Sequence, residues 1–355
     1  MGAILYLADH IGASKSIPFT RKVFNVYSKY KGDLSLYFHS MRKTSNEPDP
    51  HPNLFTSNTA KKLTPKALLE LRNSIDRWGI DTVHAMSARA IIAAVVTKQL
   101  FKPDLRIIAR LAGRIYKEER WFKIMIRRLS PSIDRFIAPS KSSQEKFIEI
   151  GLTPNKIEKQ YNFIDLSKFD PTDFNLEEER KRLEIQGSPV IGYVGRLIEL
   201  KNVDAILRGF KHLLDDNPGA SLLLVGEGEK RRSLEKSSQQ LGISDSVRFL
   251  GFREDIPAII TACDAGILVS EYESFGMPII EFLAMGRPIL ATDVGVAQEV
   301  QGVNCINDAS NEAIYNGLKK TIKDGFSEPD RDSLNPFTSE AYFERVQHLY
   351  HELHS

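Results

Sequence analysis

The chain has 355 residues, 42% of them apolar and 26% charged, with a formal net charge of +2. These proportions exclude a disordered tail, a fibrous repeat and a disulfide-stapled fragment, and the length favours two domains over one. Two cysteines, Cys263 and Cys305, cannot build a disulfide framework, so a reducing cytoplasm is expected, and no apolar run reaches the length of a membrane span.

The opening MGAILYLADH reads as a first strand, since it has no basic lead and too short an apolar run for a secretory leader. AILYLA, LSLYFH, TVHA, RIIARL and RFIAPS read as strands in the first half, separated by helical stretches near 16–30, 64–78, 87–100, 118–129 and 141–150. Residues 44–60, polar and rich in Pro and Asn, read as an exposed loop. Residues 163–189 are charged, turn-rich and without apolar periodicity, and are expected to link two domains. Alternation then restarts with PVIGYVGR, SLLLVG, SVRFLG, AGILVS and RPILATD as strands. Helices are expected near 201–215, 229–241 and 254–262, over MPIIEFLAMG, and briefly around 297–301. In the final segment, apolar or aromatic residues at 342, 343, 346, 349 and 350 have helical spacing. No strand follows, so this helix must cover an existing surface. Strand and helix alternate throughout, which argues an α/β fold with parallel sheets. The expected domains are 1–168, with 337–355 packing back on it, and 169–336.

Charge is divided unevenly. Residues 1–170 hold 29 Lys and Arg against 16 Asp and Glu, and the remainder holds 19 against 30. A basic half suits anionic lipid, nucleic acid or a phosphorylated substrate. Residues 106–128 concentrate it: eight basic residues interleave with Trp121, Phe122, Ile124, Met125 and Ile126. Such a helix either rests on an anionic membrane surface or is an ordinary amphipathic helix whose apolar stripe is core.

The candidate chemistry lies mostly in the second half. Glu273 and Glu281 bracket SFGMPII, where a strand ends and a helix begins. Pro278 suits a first helical turn, Gly276 lets a ligand approach the backbone, and free helix N–H groups form an anion site. Carboxylates beside such an anion site suit a neutral, hydroxyl-rich ligand, as a sugar is. GYVGRLIELK places Gly195, Arg196 and Lys201 after a strand, and two cations there suit a diphosphate. VGEGEKR, with Gly226, matches the dinucleotide fingerprint only partly, because Arg231 stands at its third glycine. Arg253, or the main chain around it in GFRED, is a candidate for meeting a base edge. His84 ends a strand in the first half, where a lone histidine is usually a satisfied core residue. Asp330 and Asp332 form the only D-x-D, away from any nucleotide-binding strand, and no metal site is expected.

Together, VGRLIELK (194–201), VGEGE (225–229), VRFLGF (247–252), ESFGMPIIE (273–281), GRPILATDVG (286–295) and Glu299 resemble the retaining glycosyltransferases of family 4. The resemblance implies the GT-B fold, two Rossmann-like domains whose parallel sheets face a central cleft. It implies that Arg196 and Lys201 neutralise a donor diphosphate and that Glu281 accepts from ribose hydroxyls. Glu273, with the backbone of Phe275, Gly276 and Met277, would hold the transferred sugar and its leaving phosphate. It also implies a metal-independent hexosyl transfer, most simply from a UDP-sugar, with the nucleotide-sugar as substrate and no cofactor. The acceptor expected is a glycan or lipid-linked molecule in cell-surface polysaccharide or glycolipid assembly, at the inner face of the membrane, with no nucleic acid partner. Gly12, His84 and Arg110 are the acceptor-side candidates. The first half departs from the family: Gly12 stands alone where relatives often carry a Gly-Gly pair, Met86 replaces a histidine, and Ala112-Gly113 replaces His-Gly. These departures put the role of His84 in doubt and point to an unusual acceptor or to weakened activity. A nucleotide-sugar epimerase or a non-catalytic nucleotide-sugar-binding subunit are the alternative readings.

Overall fold

The computed structural model describes residues 2–9, 11, 19–27, 34–41, 50–57, 64–111, 120–327 and 330–355. They divide into two units, 1–162 with 339–355, and 163–338. Gly12, Ala112 and Gly113 lie outside the described residues.

The first unit runs β1 (Ala3–Ala8), α1 (Phe19–Tyr27), β2 (Ser35–Ser40), β3 (Leu54–Thr56), α2 (Pro65–Trp78), β4 (Thr82–Ala85), α3 (Ala88–Leu100), β5 (Arg106–Arg110), α4 (Arg120–Leu129), β6 (Arg135–Ala138), α5 (Lys141–Glu149) and β7 (Ile157–Lys159). The second runs α6 (Leu176–Arg182), β8 (Val190–Val194), α7 (Val203–Asp216), β9 (Ser221–Val225), α8 (Arg231–Gln240), β10 (Val247–Gly251), α9 (Ile256–Ala262), β11 (Ala265–Leu268), α10 (Met277–Ala284), β12 (Ile289–Thr292), β13 (Val303–Ile306) and α11 (Asn311–Asp324). The last helix, α12 (Ser339–His354), belongs to the first unit.

Both sheets are parallel. Their strand orders are β3-β2-β1-β4-β5-β6-β7 and β10-β9-β8-β11-β12-β13. The order reverses between β1 and β4 in one and between β8 and β11 in the other. In open α/β sheets ligands bind outside the strand carboxyl ends at such a reversal.

Local chemistry sets the helix ends. Thr64, Ser87 and Ser140 sit in extended backbone and accept from the third N–H of α2, α3 and α5. Such caps contribute about 1 kcal/mol each. Alternate residues of the first sheet face opposite ways. Leu5, Leu7, Val83, Ile107 and Phe136 join Leu71, Ile91, Ile126 and Phe147 in the main core. On the opposite face Tyr6, His84 and Ile108 lie in register across β1, β4 and β5. Helix α12 covers that face, with Leu349 on Ile108 and Ile137, and Tyr350 Oη donating to Asp81 at 2.6 Å.

Three expectations need correction. Residues 163–189 are not a free linker. They contain α6, capped by Asn175, and Arg180 bonds Asp264 at 2.8 Å and the Ala262 carbonyl at 3.1 Å. One polar helix without an apolar stripe is thus anchored by its charges. The short helix around 297–301 is a turn instead, while α11 and β13 follow it unforeseen. Within the loop 44–60, Leu54–Thr56 pairs with β2 as an edge strand. In α4, Phe122 and Ile126 are core, whereas Ile124, Arg127 and Arg128 face solvent.

Candidate functional site

The carboxyl ends of β8, β9 and β10 are knitted by main-chain bonds beyond the strands. Gly195 N–H donates to the Val225 carbonyl at 2.9 Å, Leu197 N–H to Glu227 at 3.0 Å, and Gly226 N–H to Gly251 at 2.7 Å. Gly226 has φ +129°, and a Cβ there would stand 1.9 Å from the Gly195 carbonyl oxygen. Only glycine permits this approach. Tyr193, buried on β8, donates to the Arg196 carbonyl at 2.9 Å and fixes the turn that carries Arg196. Burial, then the nearby Glu273 carboxylate, hold its phenol well above the usual range. The Arg196 side chain is exposed, without an ion-pair partner among the described residues.

Lys201 ends a short 3-10 turn, and the left-handed Asn202 follows it into α7. Its ammonium bonds Glu273 Oε1, the two side chains being only 13% and 12% exposed. Ser270 Oγ donates to the same carboxylate oxygen at 2.9 Å, and Thr292 Oγ1 donates to the Ser270 carbonyl at 2.7 Å. Sequence reasoning missed Ser270 and Thr292, because no motif marks a hydroxyl that acts only through its neighbour. Lys201, expected to serve a diphosphate, has its charge balanced here by the Glu273 carboxylate.

The loop after β11 turns into α10 at Gly276, whose φ of +85° lies in the left-handed region. No side chain caps that helix start, and Pro278 lies in its first turn. Pro278 has no N–H and Ile279 N–H donates to the Gly276 carbonyl at 2.9 Å, so at this helix start it is Met277 N–H that is offered to an anion. The Phe275 ring packs into the core against Phe337 at 5.9 Å, so its main chain, not its ring, faces the helix start. Its carbonyl accepts from Val296 N–H at 2.9 Å. Met277 opens α10, and Glu281 follows one turn later at 9% exposure.

Arg253 has a carboxylate partner of its own. Its guanidinium fork closes on Asp255 at 2.7 and 2.5 Å, and Arg182 joins Asp255 at 2.8 Å. These bonds pull the Asp255 carboxyl down to about 2. The residue standing at the third glycine of the partial fingerprint, Arg231, bonds Glu227 and Glu235 across its own turn. Arg196, Lys201, Glu273, Glu281, Gly195, Gly226 and the 275–277 main chain are thus brought to one end of one sheet.

In the first unit, His84 and Arg110 are buried together, 1% and 2% exposed. Both His84 ring nitrogens lack hydrogen-bond partners, which overturns its reading as a satisfied core histidine. His39, between Ser74 at 3.1 Å and Ser57 at 2.9 Å, is the satisfied one. No cluster of metal-ligating side chains occurs among the described residues.

Residues 175–336 match the family described as glycosyl transferases group 1, and residues 33–168 match glycosyltransferase family 4. The chain belongs to these glycosyltransferases, with the GT-B pair of Rossmann-like domains. An uncharacterized glycosyltransferase of Methanocaldococcus jannaschii is 30% identical over 205 residues, 54% of this chain and 52% of the relative. A D-inositol 3-phosphate glycosyltransferase of Streptosporangium roseum is 28% identical over 245 residues, 64% of this chain and 53% of the relative. The chain thus matches about half the length of these relatives. Among solved structures, Anabaena HepE in complex with UDP and glucose superposes with a TM-score of 0.79 at 19% identity, covering 98% of each chain. That likeness supports the fold.

Proposed function

We propose that the chain is a retaining, metal-independent glycosyltransferase that moves a hexose-type sugar from a UDP-sugar to a glycan or lipid-linked acceptor. The observation that carries this is the convergence of Arg196, Lys201, Glu273, Glu281 and the uncapped start of α10 at the reversal between β8 and β11. HepE, crystallised with UDP and glucose, supports the choice of donor.

Cleaving a glycosyl–phosphate bond develops negative charge on the diphosphate and positive charge on the anomeric carbon. Arg196, Lys201 and the Met277 N–H at the start of α10 stabilise the first, already oriented before reaction. Glu273 keeps Lys201 at the strand end until the diphosphate competes for it. Glu281 accepts from the ribose hydroxyls, and Glu273 with the 275–277 main chain holds the sugar. No side chain acts as nucleophile, and the acceptor attacks the face from which the phosphate leaves. The basic first half brings the enzyme to a cytoplasmic, anionic membrane surface, where cell-surface polysaccharide or glycolipid is built. No described helix is long and apolar enough to cross a membrane.

The test is Glu281→Ala, with UDP-sugar affinity measured by calorimetry and transfer measured by nucleotide release. Weaker donor binding and slower transfer are expected, and unchanged values for both would sink the ribose assignment. Salt-sensitive sedimentation with anionic vesicles tests the membrane contact, which absent or salt-insensitive binding would remove.

A further inference from the structure

Four buried polar atoms of the first unit have no hydrogen-bond partner and belong to one cluster: His84 Nδ1 and Nε2, Arg110 Nη1 and Gln160 Oε1. Arg110 Nη2 donates to the Gln160 carbonyl at 3.3 Å and to Asn162 Oδ1. Gln160 Nε2 donates to the Tyr342 carbonyl at 3.1 Å, and Tyr342 Oη meets Tyr6 Oη at 3.1 Å. The Tyr6 ring lies 4.8 Å from the His84 ring, and Arg110 lies over Phe19 at 4.9 Å. The cluster stands at the carboxyl ends of β4 and β5, beside the order reversal between β1 and β4.

Its electrostatics are one-sided. Burial lowers the Arg110 pKa, opposed by the Tyr342 and Tyr6 hydroxyls, and among the described residues no carboxylate acts on it. Burial, then the Arg110 charge, push His84 down to about 3, so its ring is neutral near neutral pH. A neutral imidazole has one donor and one acceptor, and here neither is met. An uncompensated buried cation beside orphan donors is expensive. A purely structural core would fill this place with apolar side chains.

We propose that Arg110 and His84 form an oxyanion-binding subsite that takes a phosphate or carboxylate group carried by the acceptor. This rests on the glycosyltransferase reading above. Arg110 Nη1 and the protonated nitrogen of His84 donate to the anion, which supplies the missing counter-charge. Gln160 Oε1 accepts from a hydroxyl of the same molecule.

The experiment is calorimetric titration of the full chain with inorganic phosphate or with acetate. Ionic strength is matched with chloride, and saturating UDP occupies the diphosphate site. One oxyanion is expected to bind wild type, and which one does so tells phosphate from carboxylate. Binding should weaken by roughly tenfold or more in Arg110→Met and in His84→Asn, the loss of one charge-assisted bond. UDP affinity should be unchanged in both, which also reports that they fold. If Arg110→Met fails to bind UDP, His84→Asn decides the matter. Absence of binding by both anions, or equal binding by wild type and folded variants, overturns the subsite. Failure of wild type to bind UDP overturns the donor reading instead, and the anion titration without UDP still tests the subsite.

Discussion

Lys201 and Glu273 form a mostly buried ion pair. Removing one partner leaves the other charge poorly solvated, at a cost of about 3 kcal/mol. Lys201→Met should therefore lower the urea midpoint strongly, and adding Glu273→Gln should restore much of it. Both variants should lose transfer. Arg196→Ala should leave stability within about 0.5 kcal/mol, since the side chain is exposed, yet slow transfer by about a hundredfold or more. Equal effects on stability and rate at Arg196 would argue that it is structural. The two buried histidines impose a pH dependence. His39 and His84 both lie at about 3 against an ordinary 6.5, burial being the first cause in each. Below 6.5 the unfolded chain takes up protons that the folded chain refuses until about 3. Stability is therefore lost as pH falls through that window, by up to about 1.4 kcal/mol per pH unit for each histidine. His39→Gln should remove about half of that slope in urea midpoints measured from about pH 7 to about pH 5. An unchanged slope would refute it.

At the scale of elements, the start of α10 depends on Gly276. Its φ of +85° is open to glycine, and any Cβ there strains the backbone. Gly276→Ala should cost about 1–2 kcal/mol and weaken UDP binding, because the Met277 N–H at the helix start would move. Thermal unfolding and calorimetry read the two effects separately. The strand-to-helix turn here was legible in the sequence, since Gly276, Pro278 and the apolar run after them are local signals. Helix α6 was not. Its residues lack apolar periodicity, and what holds them is Arg180 reaching Asp264, 84 positions along the chain. Helix α11 was not foreseen either, although Ile314, Leu318 and Thr321 share its buried face. Gly209 lets it approach α7 so closely that a Cβ there would stand 2.3 Å from Ile314 Cγ2.

At the scale of the molecule, the chain's last element completes its first unit. Helix α12 buries Tyr342, Phe343, Val346, Leu349 and Tyr350. Each such side chain contributes about 1.5–3 kcal/mol. Their sum rivals a whole domain's margin of about 5–15 kcal/mol. A chain ending before Ser339 should lose hydrogen-exchange protection across β1–β7 while β8–β13 keep theirs and still bind UDP. Protection retained in β1–β7 would show that the helix is dispensable.

The parallel α/β class, most strands and the candidate residues from Gly195 to Glu281 follow from the sequence alone, because alternation, glycine and proline act over a few positions. The tertiary structure decided which charges meet. Lys201 faces Glu273 and Arg182 faces Asp255, while Arg110 is buried beside His84 with no carboxylate of the described residues acting on it. Such pairings depend on distances across strand ends far apart in sequence. Local pattern holds no record of them, because a charged side chain reads the same whether its partner is a carboxylate, water or an awaited ligand.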